Sequence, residues 1–131
     1  MKERRILLAS FDLFHIGHLG QIDAVAEPHV DLMIAIVSDR GVEQALGTGP
    51  YMPAHERAAV LGQVRHVSGV SITGPESEWV LPECDSLFVD EGLLRALASS
   101  GVRFPRASAV AVTRLPAHPA LAGVLALPSA S

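Results

Sequence analysis

The fold of this chain is decided by residues 5–18, which read RILLASFDLFHIGH. The apolar run Ile6–Ala9 predicts a buried strand, and a short turn then leads to two histidines, three residues apart, where a helix begins. A buried strand, a tight loop and a helix N-terminus together bind phosphates in α/β proteins, because free backbone N–H groups point at the anion. The presence of His15 and His18 at this place predicts that the bound phosphates take part in chemistry.

Length and composition limit the class of protein. The chain has 131 residues, which suits one domain over residues 1–131, and it is 49% hydrophobic and 18% charged, which is too apolar for disorder. The net charge of −4 argues against a nucleic-acid-binding face. Cys84 is the single cysteine, so a disulfide framework or a cysteine-based zinc site is not expected. No segment reaches the length of a signal sequence or a membrane span, so we expect a cytoplasmic protein without a membrane partner.

Strand-like and helix-like patterns alternate along the chain. Strands are predicted over Arg5–Ser10, Asp31–Ser38, Val70–Thr73, Ser86–Val89 and Ala107–Thr113. Helices are predicted over His15–Glu27, Pro53–Val64, part of Gly74–Pro82, Glu91–Ser100 and Pro119–Leu125, and Arg40–Met52 is expected to be loop-like at its end, where Gly47–Pro50 lies. This alternation implies an α/β fold with a five-stranded parallel sheet covered by helices on both faces. Ligands of such sheets bind outside the strand C-termini where the strand order reverses, which makes the turn after the first strand the candidate site.

The two histidines carry the chemical argument. His15 and His18 lie on one helix face, and Gly17 removes a side chain that would block a polyphosphate. Two charged hydrogen bonds, each contributing about 1.5–3 kcal/mol, would accelerate a reaction at phosphorus by about 10²–10⁴ if they strengthen in the transition state. Two other interpretations stay open. The histidines are either plain surface residues of an amphipathic helix or a zinc pair, for which no third ligand lies nearby in the sequence.

A family resemblance makes the interpretation more specific. The stretch SFDLFHIGH resembles the GTFDxFHxGH signature of the cytidylyltransferase-like nucleotidylyltransferases, and it is most similar to the small glycerol-3-phosphate cytidylyltransferase type. Further likeness lies in Tyr51–Pro53 with Glu56-Arg57 and Leu61, which resemble an ERxxxL segment, in Arg65–Val70, and in Glu78-Trp79. Together these segments cover most of the chain, although only the first motif is highly specific.

The resemblance implies a single Rossmann-like domain that transfers CMP from CTP, or AMP from ATP, to a small phosphorylated or phosphonylated acceptor with release of pyrophosphate. It implies Mg²⁺ carried mainly on the phosphates, with few protein ligands, and a homodimer with Arg65–Val70 near its interface. The catalytic residues that it implies are His15, His18 and Arg57. The nucleotide-binding residues that it implies are Ala9, Ser10, Phe11, Asp12, Gly17, Asp90, Arg106, Thr113 and Arg114.

The chain departs from the family pattern at several places. Ala9 replaces a usual glycine, and the loop lysine expected near Leu46 is absent, which leaves Arg40 as the nearest cation. In the late R-x-x-G-I-S-T-T motif only Arg106 and a candidate phosphate-binding hydroxyl, Thr113, are retained, with Arg114 as a replacement cation. Asp90 either reads a base amino group or caps the following helix. We therefore keep three alternatives: a cytidylyltransferase with an altered acceptor, an adenylyltransferase, and a non-catalytic nucleotide-binding homologue.

Overall fold

The first strand, β1 (Glu3–Ala9), lies at the centre of a five-stranded sheet because its apolar half is buried on both faces. The computed structural model describes residues 2–12, 16–74, 81–99 and 111–115. The elements that follow β1 are α1 (Ile16–Val25), β2 (Val30–Val37), α2 (Asp39–Leu46), α3 (Ala54–Leu61), β3 (Val67–Thr73), β4 (Ser86–Asp90), α4 (Glu91–Ser99) and β5 (Ala111–Leu115). All strand pairs are parallel, and the order is β3-β2-β1-β4-β5.

Helices cover the sheet on both faces, as the sequence predicts. Alternate residues of β1 enter two separate cores: Ile6 and Leu8 pack with Leu93 of α4 and with α2, whereas Leu7 packs with α1 and with Leu61 of α3. A central parallel strand must be apolar on both sides because helices exclude water from both. The predicted α/β, Rossmann-like arrangement with a five-stranded parallel sheet is therefore confirmed.

The strand order places a crevice beside the end of β1. The chain adds β2 and then β3 on one side of β1, and it adds β4 and then β5 on the other side. The order therefore reverses between β1 and β4, where the loops after the two strands lead to opposite sides and leave a gap. Ser10 follows β1 and Asp90 ends β4, so both residues border this gap.

The structure contains a helix, α2, in a stretch for which the sequence analysis predicted no helix, and the loop expected at Gly47–Pro50 follows it. Ser38 caps this helix, because its side chain accepts a hydrogen bond from the backbone N–H of Gly41, and Gly47 ends it with φ of 81°. Val42 and Ala45 are buried against the sheet. The helix is difficult to predict from the sequence because it is short and the glycine-rich segment from Gly47 to Pro50, which is typical of a loop, follows it directly.

Several strand boundaries also differ from the prediction by one to three residues. β3 begins at Val67, three residues earlier than expected, and β5 ends at Leu115, two residues later than expected. Thr113 and Arg114 consequently lie inside β5 rather than at its end. Residues 107–110 of the predicted strand, residues 75–80 of the predicted turn and short helix, and the predicted helix Pro119–Leu125 lie outside the described residues.

In the described part of the chain, no helix has the length and apolar character needed to cross a membrane.

Gly74 offers a test of how closely β3 and the start of α2 pack. A Cβ at this position would overlap Ser38 Oγ and lie 2.8 Å from Ser38 Cβ, which no side-chain rotation relieves. We expect Gly74→Ala to lower the free energy of unfolding by about 1–3 kcal/mol through overpacking and loss of the cap. Gly49→Ala is the matched control, since a Cβ there meets nothing within 4 Å. Urea denaturation measures both variants, and equal stability of the two would contradict the close packing.

Candidate functional site

A cavity of about 270 Å³ lies in the gap between the ends of β1 and β4. Its walls combine apolar side chains of α2 and the start of α4 with two polar residues, and the lining consists of Ser10, Val42, Ala45, Leu46, Asp90, Gly92 and Leu93. Small-molecule sites usually measure about 300–1,000 Å³, so this cavity suits a base or a ribose rather than a whole nucleotide. Leu46 lies in this wall near the place where the family pattern expects a lysine, and Arg40 lies exposed in the first turn of α2.

The turn after β1 has a strained backbone. Phe11 adopts φ of 53°, in the left-handed region that bulky residues rarely enter, although its side chain is buried in the core beneath α1. Strain of this kind persists only where surrounding structure enforces it, and it is concentrated at functional sites. The ring of Phe11 packs against the ring of His18, with centroids 5.0 Å apart and planes tilted by 57°. The strained turn thus positions one of the two predicted catalytic histidines.

Asp12 ties this turn to the segment before α3. Its Oδ2 accepts a hydrogen bond from the backbone N–H of Tyr51 at 2.9 Å, and its Oδ1 accepts one from Met52 at 3.0 Å. A carboxylate that receives two backbone donors is held in one orientation. The sequence analysis placed Asp12 among the nucleotide-binding residues, and the structure shows it holding two loops together.

Arg57 lies underneath the site, where it holds the backbone. Its Nε donates to the carbonyl of Met52 at 2.9 Å, and its Nη1 donates to the carbonyls of Ser10 and of Val37. Its Nη2 donates to Asp39 Oδ1 at 2.8 Å, and its side chain has no exposed surface. The catalytic role expected of Arg57 stays a prediction, and the contacts in the structure show its guanidinium enclosed by backbone carbonyls and Asp39, where it holds the loops of the site.

Asp39, at the start of α2, joins the same group of contacts. Its Oδ1 accepts the backbone N–H of Ala54 at 2.8 Å in addition to the Arg57 guanidinium. The first turn of α3 needs such an acceptor, because Pro53 at its N-cap makes no side-chain cap bond. The sequence analysis missed Asp39, and its only signal is the Ser38-Asp39 pair, which is typical of a helix start.

Asp90 both caps a helix and lines the cavity. Its Oδ2 accepts the backbone N–H of Leu93 at 3.0 Å, which is the capping alternative that the sequence left open. Its Oδ1 accepts a hydrogen bond of 2.6 Å from Nε2 of Gln21, a buried residue of α1 that the sequence analysis also missed. Gln21 follows His18 by three residues, so both lie on one face of α1.

The register of β5 separates two expected phosphate-binding residues. Thr113 pairs with Phe88, whose side chain faces the core under α1, and Arg114 pairs with Val89, whose side chain faces the core under α4. Residues paired in a parallel ladder point to the same side, so Arg114 shares the face of the cavity and Thr113 lies on the opposite face. Both side chains are exposed.

The remaining expected residues divide into described and undescribed ones. Ala9 ends β1 with its side chain in the core, so only its backbone can face a ligand, and Gly17 lies in the first turn of α1. His15 and Arg106, together with Glu78 and Trp79 of the family resemblance, lie outside the described residues.

The site offers no cluster of metal ligands within the described ranges, where no three His, Cys, Asp or Glu residues come together. The carboxylates of Asp12, Asp39 and Asp90 each already accept two hydrogen bonds from the protein. Burial raises the pKa of the Cys84 thiol, which disfavours a thiolate nucleophile.

Known proteins with similar sequences indicate the family to which this chain belongs. A family model described as cytidylyltransferase-like matches residues 6–82, from the middle of β1 to beyond β3. The FAD synthase of Pyrococcus abyssi is 34% identical over 65 residues, which cover 50% of this chain and 44% of that protein. The FAD synthase of Pyrococcus horikoshii is 32% identical over 74 residues, which cover 56% and 50%. The chain thus spans about half the length of these relatives.

A solved structure shares the fold. The lipopolysaccharide core biosynthesis protein from Thermoplasma volcanium superposes with a TM-score of 0.67 and 16% sequence identity, over 90% of this chain and 99% of that chain. At this identity the likeness concerns the fold alone.

Removal of Arg57 tests how the site is held. We expect Arg57→Ala to lower the free energy of unfolding by about 3 kcal/mol or more, because three backbone carbonyls and Asp39 lose their donor. The free energy of unfolding of Arg57→Lys should lie between those of wild type and Arg57→Ala, since an ammonium group cannot donate to all the acceptors that the planar guanidinium reaches. The control Arg95→Ala removes an exposed i,i+4 pair with Glu91 and should cost less than about 0.5 kcal/mol. If Arg57→Ala is as stable in urea as the wild type, the hydrogen bonds of Arg57 do not hold the strand ends.

Proposed function

Because this chain belongs to the cytidylyltransferase-like family of nucleotidyltransferases, we propose that it transfers a nucleoside monophosphate from a nucleoside triphosphate to a small phosphorylated or phosphonylated acceptor, with release of pyrophosphate. The observation that carries the proposal is the strained turn after β1. Phe11 of this turn packs against the ring of His18 in α1, and Ser10 of the same turn lines the cavity at the reversal of strand order. This combination suits a triphosphate at the helix end and a nucleoside in the cavity.

The proposed reaction is a direct displacement at phosphorus. An acceptor oxygen forms a bond to the α-phosphorus while the bond from that phosphorus to the α–β bridging oxygen breaks, and the bridging oxygen leaves with the electron pair as part of pyrophosphate. Negative charge grows on the leaving group. His15 and His18 donate hydrogen bonds to these oxygens, together with backbone N–H groups at the start of α1. The protein contributes position and charge, and no covalent intermediate is required.

The donor nucleotide is either CTP or ATP. The resemblance of SFDLFHIGH to the small cytidylyltransferases favours CTP and transfer of CMP. The likeness to two FAD synthases favours ATP as the second candidate, because FAD contains an adenylyl group that ATP supplies. Both bases carry an exocyclic amino group, which suits the acceptor oxygens of Asp90 in the cavity wall.

The other partners in the proposal are Mg²⁺, which would be bound to the phosphates of the substrate, and a second copy of the chain. Arg65–Val70 leads into β3, which is an edge strand of the described sheet, so this segment is accessible to a partner. The homodimer stays a prediction, and size-exclusion chromatography with light scattering tests it. Arg40 and Arg114 are the proposed replacements for the missing lysine and hydroxyl cluster, and Thr113 is not placed to assist Arg114 on the same face.

The experiment that tests the function measures pyrophosphate release. Wild-type protein is incubated with Mg²⁺ and either CTP or ATP over a panel of acceptors that includes glycerol phosphate, FMN, simple phosphonates and phosphocarboxylates. Release with one donor and one acceptor supports the proposal and identifies the base. Calorimetric binding of CTP or ATP without release across the whole panel would instead support a non-catalytic nucleotide-binding homologue.

Replacement of His18 tests the catalytic assignment. We expect His18→Ala to lower turnover by about 100-fold or more, because one charge-assisted hydrogen bond to the transition state is lost. Loss of the ring contact with Phe11 should cost at most about 1.5 kcal/mol of stability, so the variant stays folded. His29→Ala is the control, since His29 is exposed before β2, at the opposite end of the sheet. Near-normal turnover of folded His18→Ala would remove His18 from the mechanism.

A further inference from the structure

Gln21 bridges the helix that carries His18 and the wall of the nucleoside cavity. Its side chain is 5% exposed, and its Nε2 donates a hydrogen bond of 2.6 Å to Asp90 Oδ1. The same carboxylate is held on its other oxygen by the backbone N–H of Leu93 at 3.0 Å. Asp90 is therefore fixed from two elements at once, α1 and α4, while it remains part of the cavity lining.

The orientation of the Gln21 amide follows from chemistry. An ionised carboxylate only accepts hydrogen bonds, so the NH₂ group of the amide must face Asp90 and the carbonyl oxygen must face away. That oxygen, Oε1, is buried and has no hydrogen-bond partner among the described residues. A buried acceptor of this kind destabilises a fold, whereas a leucine of similar size would bury only apolar surface. Within the described core, the only contact that explains an amide at this place is therefore the hydrogen bond from its nitrogen to Asp90.

We propose that Gln21 is a positioning residue that orients the Asp90 carboxylate to accept a hydrogen bond from a donor group of the bound nucleoside. This inference rests on the proposed function and extends it to the recognition of the substrate. With one donor already placed on each oxygen, the lone pairs that remain point in defined directions. A fixed acceptor discriminates more strongly than a mobile one, because it cannot turn to accommodate a ligand acceptor such as a keto oxygen.

The nucleoside offers two kinds of donor to such a carboxylate, an exocyclic amino group and a ribose hydroxyl. ATP and ITP differ at one edge of the base, where an amino group is replaced by a keto oxygen, and CTP and UTP differ in the same sense. The 2′-deoxy and 3′-deoxy forms of ATP and CTP remove one hydroxyl each. These pairs separate the two sources whether the protein prefers adenine or cytosine.

The experiment measures equilibrium binding of these nucleotide pairs to wild-type protein and to Gln21→Leu by calorimetry. We expect wild type to prefer the amino or the hydroxyl member of one pair by about tenfold or more, as for one hydrogen bond to a charged group. In folded Gln21→Leu that preference should fall to less than about threefold, because Asp90 loses the donor that orients it. Gln63→Leu is the matched control, because Gln63 is exposed after α3 and outside the cavity lining, and it should keep the wild-type preference.

The possible outcomes distinguish a failure of the role inferred for Gln21 from a failure of the proposed function. If wild type binds no nucleotide, the proposed function fails and the inference fails with it. If wild type discriminates and folded Gln21→Leu discriminates equally, or weakens every nucleotide by one common factor, Gln21 has only a structural role and the inference alone is overturned. Wild type that shows no amino or hydroxyl preference overturns it as well. Gln21→Met, with its flexible unbranched side chain, repeats the comparison if Gln21→Leu does not fold.

Discussion

The site of this protein depends on one buried guanidinium. Arg57 reaches from α3 under the ends of β1 and β2, and it donates hydrogen bonds to Ser10, Val37, Met52 and Asp39. Strand ends beyond the sheet ladder have unpaired carbonyls, which cannot stay buried without donors. A planar group with several fixed N–H vectors satisfies them together. Because Ser10 belongs to the turn that leads into α1, this contact holds that turn against the end of β2 and the segment before α3.

Two carboxylates extend this support to the rest of the site. Asp12 connects the strained turn to the segment before α3, and Asp90 connects α4 to Gln21 of α1. Each bridge joins elements that are distant in sequence and lie at the same edge of the sheet. The helix α1 carries both His18, which packs against Phe11 of the turn, and Gln21, which binds Asp90. In the proposed function this helix would relate the two halves of a bound nucleotide with little freedom.

The sequence predicted the frame of this site better than its internal contacts. The apolar run before SFDLFHIGH and the strand–helix alternation were sufficient for the parallel sheet, its two covered faces and the position of the crevice. The helix α2 was missed because a glycine-rich turn follows its short capped segment. The resemblance of the segment around Arg57 to an ERxxxL pattern predicted a catalytic role for this residue. The pattern does not determine which groups the guanidinium contacts. Gln21 carried no signal beyond its helical spacing from His18.

The sequence by itself determined the fold class and the family, together with the place where phosphates would bind, since hydrophobic periodicity and a local strand–turn–helix motif are properties of neighbouring residues. The tertiary structure decided which polar groups meet across the edge of the sheet. Arg57 reaches Ser10, and Gln21 reaches Asp90, only because strand order brings together segments that are 47 and 69 residues apart. The tertiary structure also decided which face of the sheet Thr113 and Arg114 occupy, because the register of β5 against β4 places these adjacent side chains on opposite faces. The sequence alone therefore predicts phosphate binding at the HIGH motif, whereas the contacts that hold the neighbouring turn and line the cavity come from long-range pairing.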